Sequence, residues 1–66
     1  MAISNNLKKI RIERHLRQKD IAEAIHSCGR TISRIERGER NPSLEMALAI
    51  ADFLGLPVEE VFKLDP

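Results

Sequence analysis

A chain of 66 residues has room for one domain and one modest core, near the lower size limit for folding without a staple. Its single cysteine, Cys28, excludes an intramolecular disulfide, and one cysteine with two histidines excludes an ordinary Cys/His zinc set, so no metal or cofactor is expected. The net charge of +1 hides a polarity: residues 1–40 carry ten Lys/Arg against five acids, whereas residues 41–66 carry Lys63 alone against five acids.

Apolar residues recur at helical spacing almost throughout, which predicts a nearly all-helical chain with strand-like alternation only at its ends. A first helix fits residues 6–14, with Asn6 as its cap, Leu7 and Ile10 inward and Arg11 beside them; His15 and Leu16 make the turn. A second fits residues 18–25, with Ile21, Ala22 and Ile25 on one face and a break at His26 and Ser27. A third begins near Gly29 and ends at Gly38, which suits the left-handed position after a helix end, with Ile32 and Ile35 inward. After a polar connection over residues 39–42, Ser43 caps a longer helix over residues 44–54 that Gly55 terminates. Its expected buried stripe is Leu44, Ala47, Leu48, Ala51 and Leu54. Pro57 opens a short fifth helix through Val61, with Glu59 and Glu60 at its positive end. Ile3 near the start pairs with Phe62 and Leu64 near the end as two short strands. The expectation is an all-α chain of five helices, a single domain over residues 1–66, with a short two-stranded pairing of its ends.

The second and third helices, short and joined by a tight turn, form a unit suited to presenting the third helix to a DNA major groove. Such a helix must be apolar behind and rich in donors in front. Ile32 and Ile35 lie behind, while Arg30, Thr31, Ser33, Arg34 and Arg37 remain for the other side. Arg30 and Arg34 stand one turn apart on one ridge, and their guanidinium forks suit the paired acceptors of guanine. The basic front half can then turn toward phosphates while the acidic half stays clear of them.

The sequence resembles the Cro and lambda-repressor type of helix-turn-helix, also called the xenobiotic-response-element family, from about Leu7 to Phe62. The resemblance rests on four pieces in order: LKKIR from Leu7, QKDIA from Gln18, TISRIERGERNPSL from Thr31, and ALAIA from Ala47 with Leu54 and Gly55. It implies a five-helix lambda-repressor-like domain with its helix-turn-helix unit at about residues 17–38. By position it implies that Gln18 touches a phosphate, that Gly29, Arg30 and Arg34 face bases, and that Arg40, Asn41 and Ser43 lie beside the DNA backbone. Gly29 has no side chain to read with, so Arg30 and Arg34 carry most of the readout, with Thr31 and Ser33 as further base contacts. The charge asymmetry adds Arg17, Lys19 and Arg37 to the phosphate set. The resemblance also implies a structural ion pair between Arg11 and Glu36.

The chain departs from the family pattern at several positions. Arg17 stands where Ser or Thr usually caps the second helix, so that cap is exchanged for a phosphate contact. His15 and His26 occupy positions where helix-ending glycines are common; histidine tolerates the left-handed conformation better than most residues. Ser27 replaces an apolar turn residue and Cys28 the usual Ser cap. Cys28 lies at a helix amino end near His26 and several arginines, a setting that can lower a thiol pKa and make a redox sensor, but a passive cap residue is the plainer reading.

The function expected on these grounds is sequence-specific binding of a near-palindromic double-stranded DNA operator by a homodimer that represses transcription. Met46, Phe53, Phe62 and Leu64 are the apolar residues assigned to the dimer contact, since the core is complete without all of them. The alternative is an antitoxin or partner-binding adaptor with autoregulatory DNA binding. With no Tyr or Trp and two Phe, single-strand or RNA stacking platforms are lacking. His26 and Cys28 have no matched acid, phosphate loop or oxyanion arrangement, so an enzyme is not expected. Asp52, Glu59 and Glu60 lack a companion ligand cluster and read as solvated or helix-dipole partners. No apolar run approaches the roughly 18–20 residues that span a bilayer, and the amino terminus lacks a signal pattern. A cytoplasmic protein without membrane contact is therefore expected.

Overall fold

The computed structural model describes residues 2–65, ordered β1 (Ala2–Asn5), α1 (Leu7–Glu13), α2 (Gln18–Ala24), α3 (Gly29–Glu36), α4 (Leu44–Leu54), α5 (Val58–Val61) and β2 (Phe62–Asp65). The two strands pair antiparallel, with Ile3 opposite Leu64 and Asn5 opposite Phe62, so the chain ends close on each other as their alternation predicts. One core unites all five helices: Leu7 of α1, Ile21 of α2, Ile32 and Ile35 of α3, Ile50 of α4 and Val61 of α5 are fully buried. Each aliphatic side chain taken out of water contributes about 1.5–3 kcal/mol, so these few residues carry most of what can hold so small a chain together.

The helix ends explain how the connections stay short. At all four junctions after α1, α2, α3 and α4 a residue of positive φ closes the helix: His15 (57°), His26 (57°) and Gly38 (76°) just after the cap, and Gly55 (69°) as the cap of α4 itself. Each donates its N–H three residues back, and the next residue donates five back: Leu16 to Arg11 O (2.9 Å), Ser27 to Ala22 O (2.8 Å), Glu39 to Arg34 O (2.9 Å) and Leu56 to Ala51 O (3.0 Å). This paired closure satisfies the orphan carbonyls and reverses the chain within two residues. Two of the four turns use histidine where glycine is the less strained choice.

Several local expectations are corrected. Asn6 makes no side-chain cap; Asn5 Oδ1 instead accepts the Leu7 N–H at 3.1 Å, while Asn6 Nδ2 donates to Glu60 O at 3.3 Å. α2 stops at Ala24 and α1 at Glu13, each shorter than expected because the left-handed histidine that follows draws in the final turn. Pro57 is the cap of α5 and not its first residue. Along α4 two overlapping sets of residues have helical spacing, and the core selects Ala47, Ile50, Ala51 and Leu54. Leu44 and Leu48 are left 75% and 50% exposed on one flank of that stripe, with Met46 and Phe53 on the other. Phe62 is 9% exposed and belongs to the core, because β2 runs straight on from α5 and turns this side chain inward. It is therefore withdrawn from the apolar surface open to a second copy.

Candidate nucleic-acid interface

α3 is eight residues long and divides cleanly between two environments. Ile32 and Ile35, three apart, are buried against the core at 0% and 1% exposure. Arg30 and Arg34, four apart on the opposite side, are exposed, with Thr31 and Ser33 half-buried between them and the core face. Packing the isoleucines thus turns both guanidinium groups outward.

A buried polar link fixes how α3 sits on the rest of the domain. Arg11 of α1 grips Glu36 at the end of α3 in a two-pronged contact, Nε to Oε2 at 2.7 Å and Nη2 to Oε1 at 3.2 Å, and donates Nη1 to Leu16 O at 3.0 Å. The Glu36 side chain is 3% exposed and that of Arg11 14%. Glu36 Oε1 also accepts from Gln18 Nε2 at 3.1 Å, joining the first residue of α2 to the same carboxylate. Removing one member of such a set strands a charge in a poorly solvated place, so the set dictates geometry more than it adds stability. From the other side, Asn5 Nδ2 donates to Ile35 O at 2.9 Å, tying β1 to α3. Among the described residues no buried side-chain nitrogen or oxygen lacks a partner.

Around α3 the remaining basic and polar candidates occupy two flanks. The amino end of α2 adjoins that of α3: a Cβ built on Gly29 would lie 3.9 Å from the Lys19 backbone nitrogen. Lys19 is exposed and Gln18 half-buried. Arg17, capping α2, has no acceptor to offer the helix; instead the Asp20 carboxylate accepts the Arg17 backbone N–H at 2.7 Å and holds its guanidinium at 3.3 Å. That backbone bond first, and then the guanidinium, keep the Asp20 carboxyl ionised to below its ordinary pH range. On the far flank, Arg37 pairs with Glu39 at 3.1 Å, and Arg40, Asn41 and Ser43 are exposed on the way into α4. Ser43 Oγ is committed to capping α4, accepting from Met46 N at 3.1 Å. Among the described residues Lys19, Arg30, Arg34 and Arg40 form no ion pair. Arg14 points elsewhere, donating to Leu54 O at the end of α4.

The turn between α2 and α3 places Cys28 at the cap of α3, exposed, with Sγ 3.4 Å from Thr31 Oγ1. The Thr31 hydroxyl, then the Thr31 backbone N–H, stabilise the thiolate and hold its pKa below that of an ordinary thiol.

Sequence reasoning missed three of these contacts. Asp20 stands three residues after Arg17, the spacing of a reciprocal cap, so its role was open to inference. The Gln18 to Glu36 and Asn5 to Ile35 bonds join residues 18 and 30 positions apart and leave no local signal.

Two short helices set across a tight turn, the second mounted on its apolar side with cations outside, define the class of small helix-turn-helix domains. The helix-turn-helix family model matches residues 7–61, and the chain belongs to that family of DNA-binding regulators. An uncharacterised helix-turn-helix-type transcriptional regulator of Methanocaldococcus jannaschii is 38% identical over 60 residues, 91% of this chain and 91% of that protein. The cryptic phage CTXphi transcriptional repressor RstR of Vibrio cholerae is 33% identical over 58 residues, 88% of this chain and 52% of that protein, so the chain spans about half its length. In fold, the chain matches a crystal structure from Bacteroides fragilis, of a protein provisionally assigned to DNA binding, with TM-score 0.83 at 24% identity, covering 92% of this chain and 98% of that one. Among the described residues no helix is long and apolar enough to cross a membrane.

Proposed function

We propose that this protein is a transcriptional repressor that binds an operator in duplex DNA as a homodimer, with α3 of each copy in the major groove. The observation that carries the reading is the pair of exposed, unpaired arginines, Arg30 and Arg34, on the side of α3 opposite its buried isoleucines. Arg30 and Arg34 read guanines bidentately, with Thr31 and Ser33 at neighbouring base edges. Arg17, Gln18, Lys19, Arg37, Arg40, Asn41 and Ser43 fix the register on phosphates; Arg17 and Arg37 exchange their present carboxylate partners for phosphate on binding. A single unit of this size reads only a few base pairs, so two copies on a near-palindrome, with half-sites about 34 Å apart, supply the specificity. Met46, Phe53 and Leu64 are the apolar residues of the dimer contact. Relatives named as regulators and as a phage repressor support the direction of control.

Selection of bound sites from random duplexes, with stoichiometry measured on the winner, tests this reading. A near-palindromic consensus bound by two chains is expected; absence of any enriched sequence refutes it. On that site Arg30→Ala or Arg34→Ala should weaken binding by about 1–3 kcal/mol and relax preference at a guanine. Equal loss on every sequence would reassign these arginines to phosphates. Lys19→Ala and Arg40→Ala should weaken all sequences alike and flatten the salt dependence.

A further inference from the structure

A ribbon of two strands leaves two open edges, and the register decides which backbone groups face them. Asn6 N–H donates to Val61 O at 2.9 Å, and this pair continues the β1–β2 register by one step beyond Asn5 and Phe62. Hydrogen-bonded and non-hydrogen-bonded pairs alternate along an antiparallel ladder. Ser4 with Lys63 therefore exchanges hydrogen bonds, whereas Ile3 with Leu64 and Asn5 with Phe62 turn theirs outward. The Phe62 N–H is taken by Val58 O of α5. Leu64 is thus the residue of β2 that offers both N–H and C=O to the outer edge, and its side chain is 68% exposed.

From this we infer that the outer edge of β2 is an interface between two copies of this chain, which pair antiparallel about a two-fold axis at Leu64 and form one continuous four-stranded sheet. The inference rests on the homodimer reading above and gives it a site. In this register each Leu64 N–H donates to the partner's Leu64 carbonyl, which uses both outward groups of that residue. The same register sets Lys63 opposite the partner's Asp65, and Asp65 opposite the partner's Lys63. Both are non-hydrogen-bonded pairs, the kind in which side chains approach most closely. The edge is therefore complementary in charge to itself. Lys63 forms no ion pair within the chain among the described residues, and Asp65 has only one oxygen engaged, Oδ1, by the Ser4 hydroxyl at 3.3 Å. The register with its axis at Lys63 is poorer: it sets lysine against lysine, and its bonding pairs, Leu64 with the partner's Phe62, need the Phe62 N–H that α5 already takes. Leu64 shares its face of the ribbon with Phe62 and half-buried Ile3, so the leucine pair prolongs the two cores toward each other.

Sedimentation of the whole chain without DNA tests this. Lys63→Asp makes the edge wholly acidic and Asp65→Lys makes it wholly basic, so each variant alone should dissociate about tenfold more readily or worse. Mixed in equal amounts, they should associate as a heterodimer, because the acidic edge of one meets the basic edge of the other. Leu64→Pro removes the outward N–H without touching a bond to β1 and should give a folded monomer by circular dichroism. The β2 interface is overturned if the charge variants dimerise as the wild type does, if mixing brings no gain, or if folded Leu64→Pro dimerises undiminished. Two chains on the operator in that case leave the homodimer reading standing. A wild type that stays monomeric in solution and binds DNA as one copy overturns both.

Discussion

Glycine at position 15 or 26 should make this protein more stable although it removes a side chain. Both histidines hold φ of 57°, and an L-residue in the left-handed region bears a penalty of about 1–2 kcal/mol that glycine avoids. Glycine gives back roughly 0.5–1 kcal/mol through its greater freedom in the unfolded chain. Both side chains are exposed, so no packing is lost. The balance is a gain of about 0.5–1 kcal/mol at each site, and with the two turns independent, about 1–2 kcal/mol for the pair. In a domain of this size 1 kcal/mol moves the melting temperature by roughly 4–8 °C. Thermal unfolding of His15→Gly, His26→Gly and the double variant, each at one fixed chain concentration, should therefore show additive rises. His15→Ala is the control: it keeps the Cβ, loses histidine's tolerance of this conformation, and should melt below the wild type. If the glycine and alanine variants fall together, backbone strain at these turns is not what limits stability, and the argument from φ is wrong.

Glu36→Ala leaves the Arg11 guanidinium and the Gln18 amide without their shared acceptor. It should cost about 3–5 kcal/mol, a large part of the roughly 3–10 kcal/mol expected for a chain of this length; a urea midpoint near the wild-type value would dismiss the link as structural. Arg11→Met with Glu36→Leu, which removes both charges together, should recover most of that loss. Because folding lowers the Asp20 pKa, its contribution is complete above the ordinary aspartate value of 3.8 and fades as pH falls below it. Asp20→Asn should melt lower than wild type at neutral pH and converge with it in acid, and parallel melting curves across pH would exclude this role. Cys28 should alkylate with iodoacetamide at neutral pH faster than an unstructured thiol of the unfolded chain, since the Thr31 hydroxyl and N–H favour its thiolate; Thr31→Val should slow it.

Element types were legible because each helix carries its own period and its own stop. Ile32, Ile35 and Gly38 mark α3 without help from the rest of the chain, and His15 and His26 mark two turns by being tolerable where glycine is absent. What the sequence left open was decided at a distance. Leu44, Ala47, Leu48 and Ala51 have helical spacing as good as Ala47, Ile50, Ala51 and Leu54, and only contact with α2 and α5 selects the second set. Phe62 read as spare apolar surface because nothing local shows that β2 follows α5 directly inward. In the candidate interface, the type and outward position of Arg30 and Arg34 followed from their offset from the isoleucines. The commitment of Gln18 to Glu36, and of Arg17 to Asp20, depended on which acceptor a long side chain reaches in three dimensions.

The division of α3 has an evolutionary consequence. The residues that mount the helix, Ile32, Ile35 and Glu36, are distinct from those it offers to solvent, Arg30 and Arg34, and a Cβ at Gly29 would meet only ordinary van der Waals contact, 3.9 Å from the Lys19 backbone nitrogen. Mutation can therefore rewrite the outward residues of α3 at little risk to folding. Copies of such a gene can diverge on the outward face of α3 while the scaffold beneath it stays under the same constraint. Such a domain tolerates variation on this exposed face and resists it at the buried positions beneath.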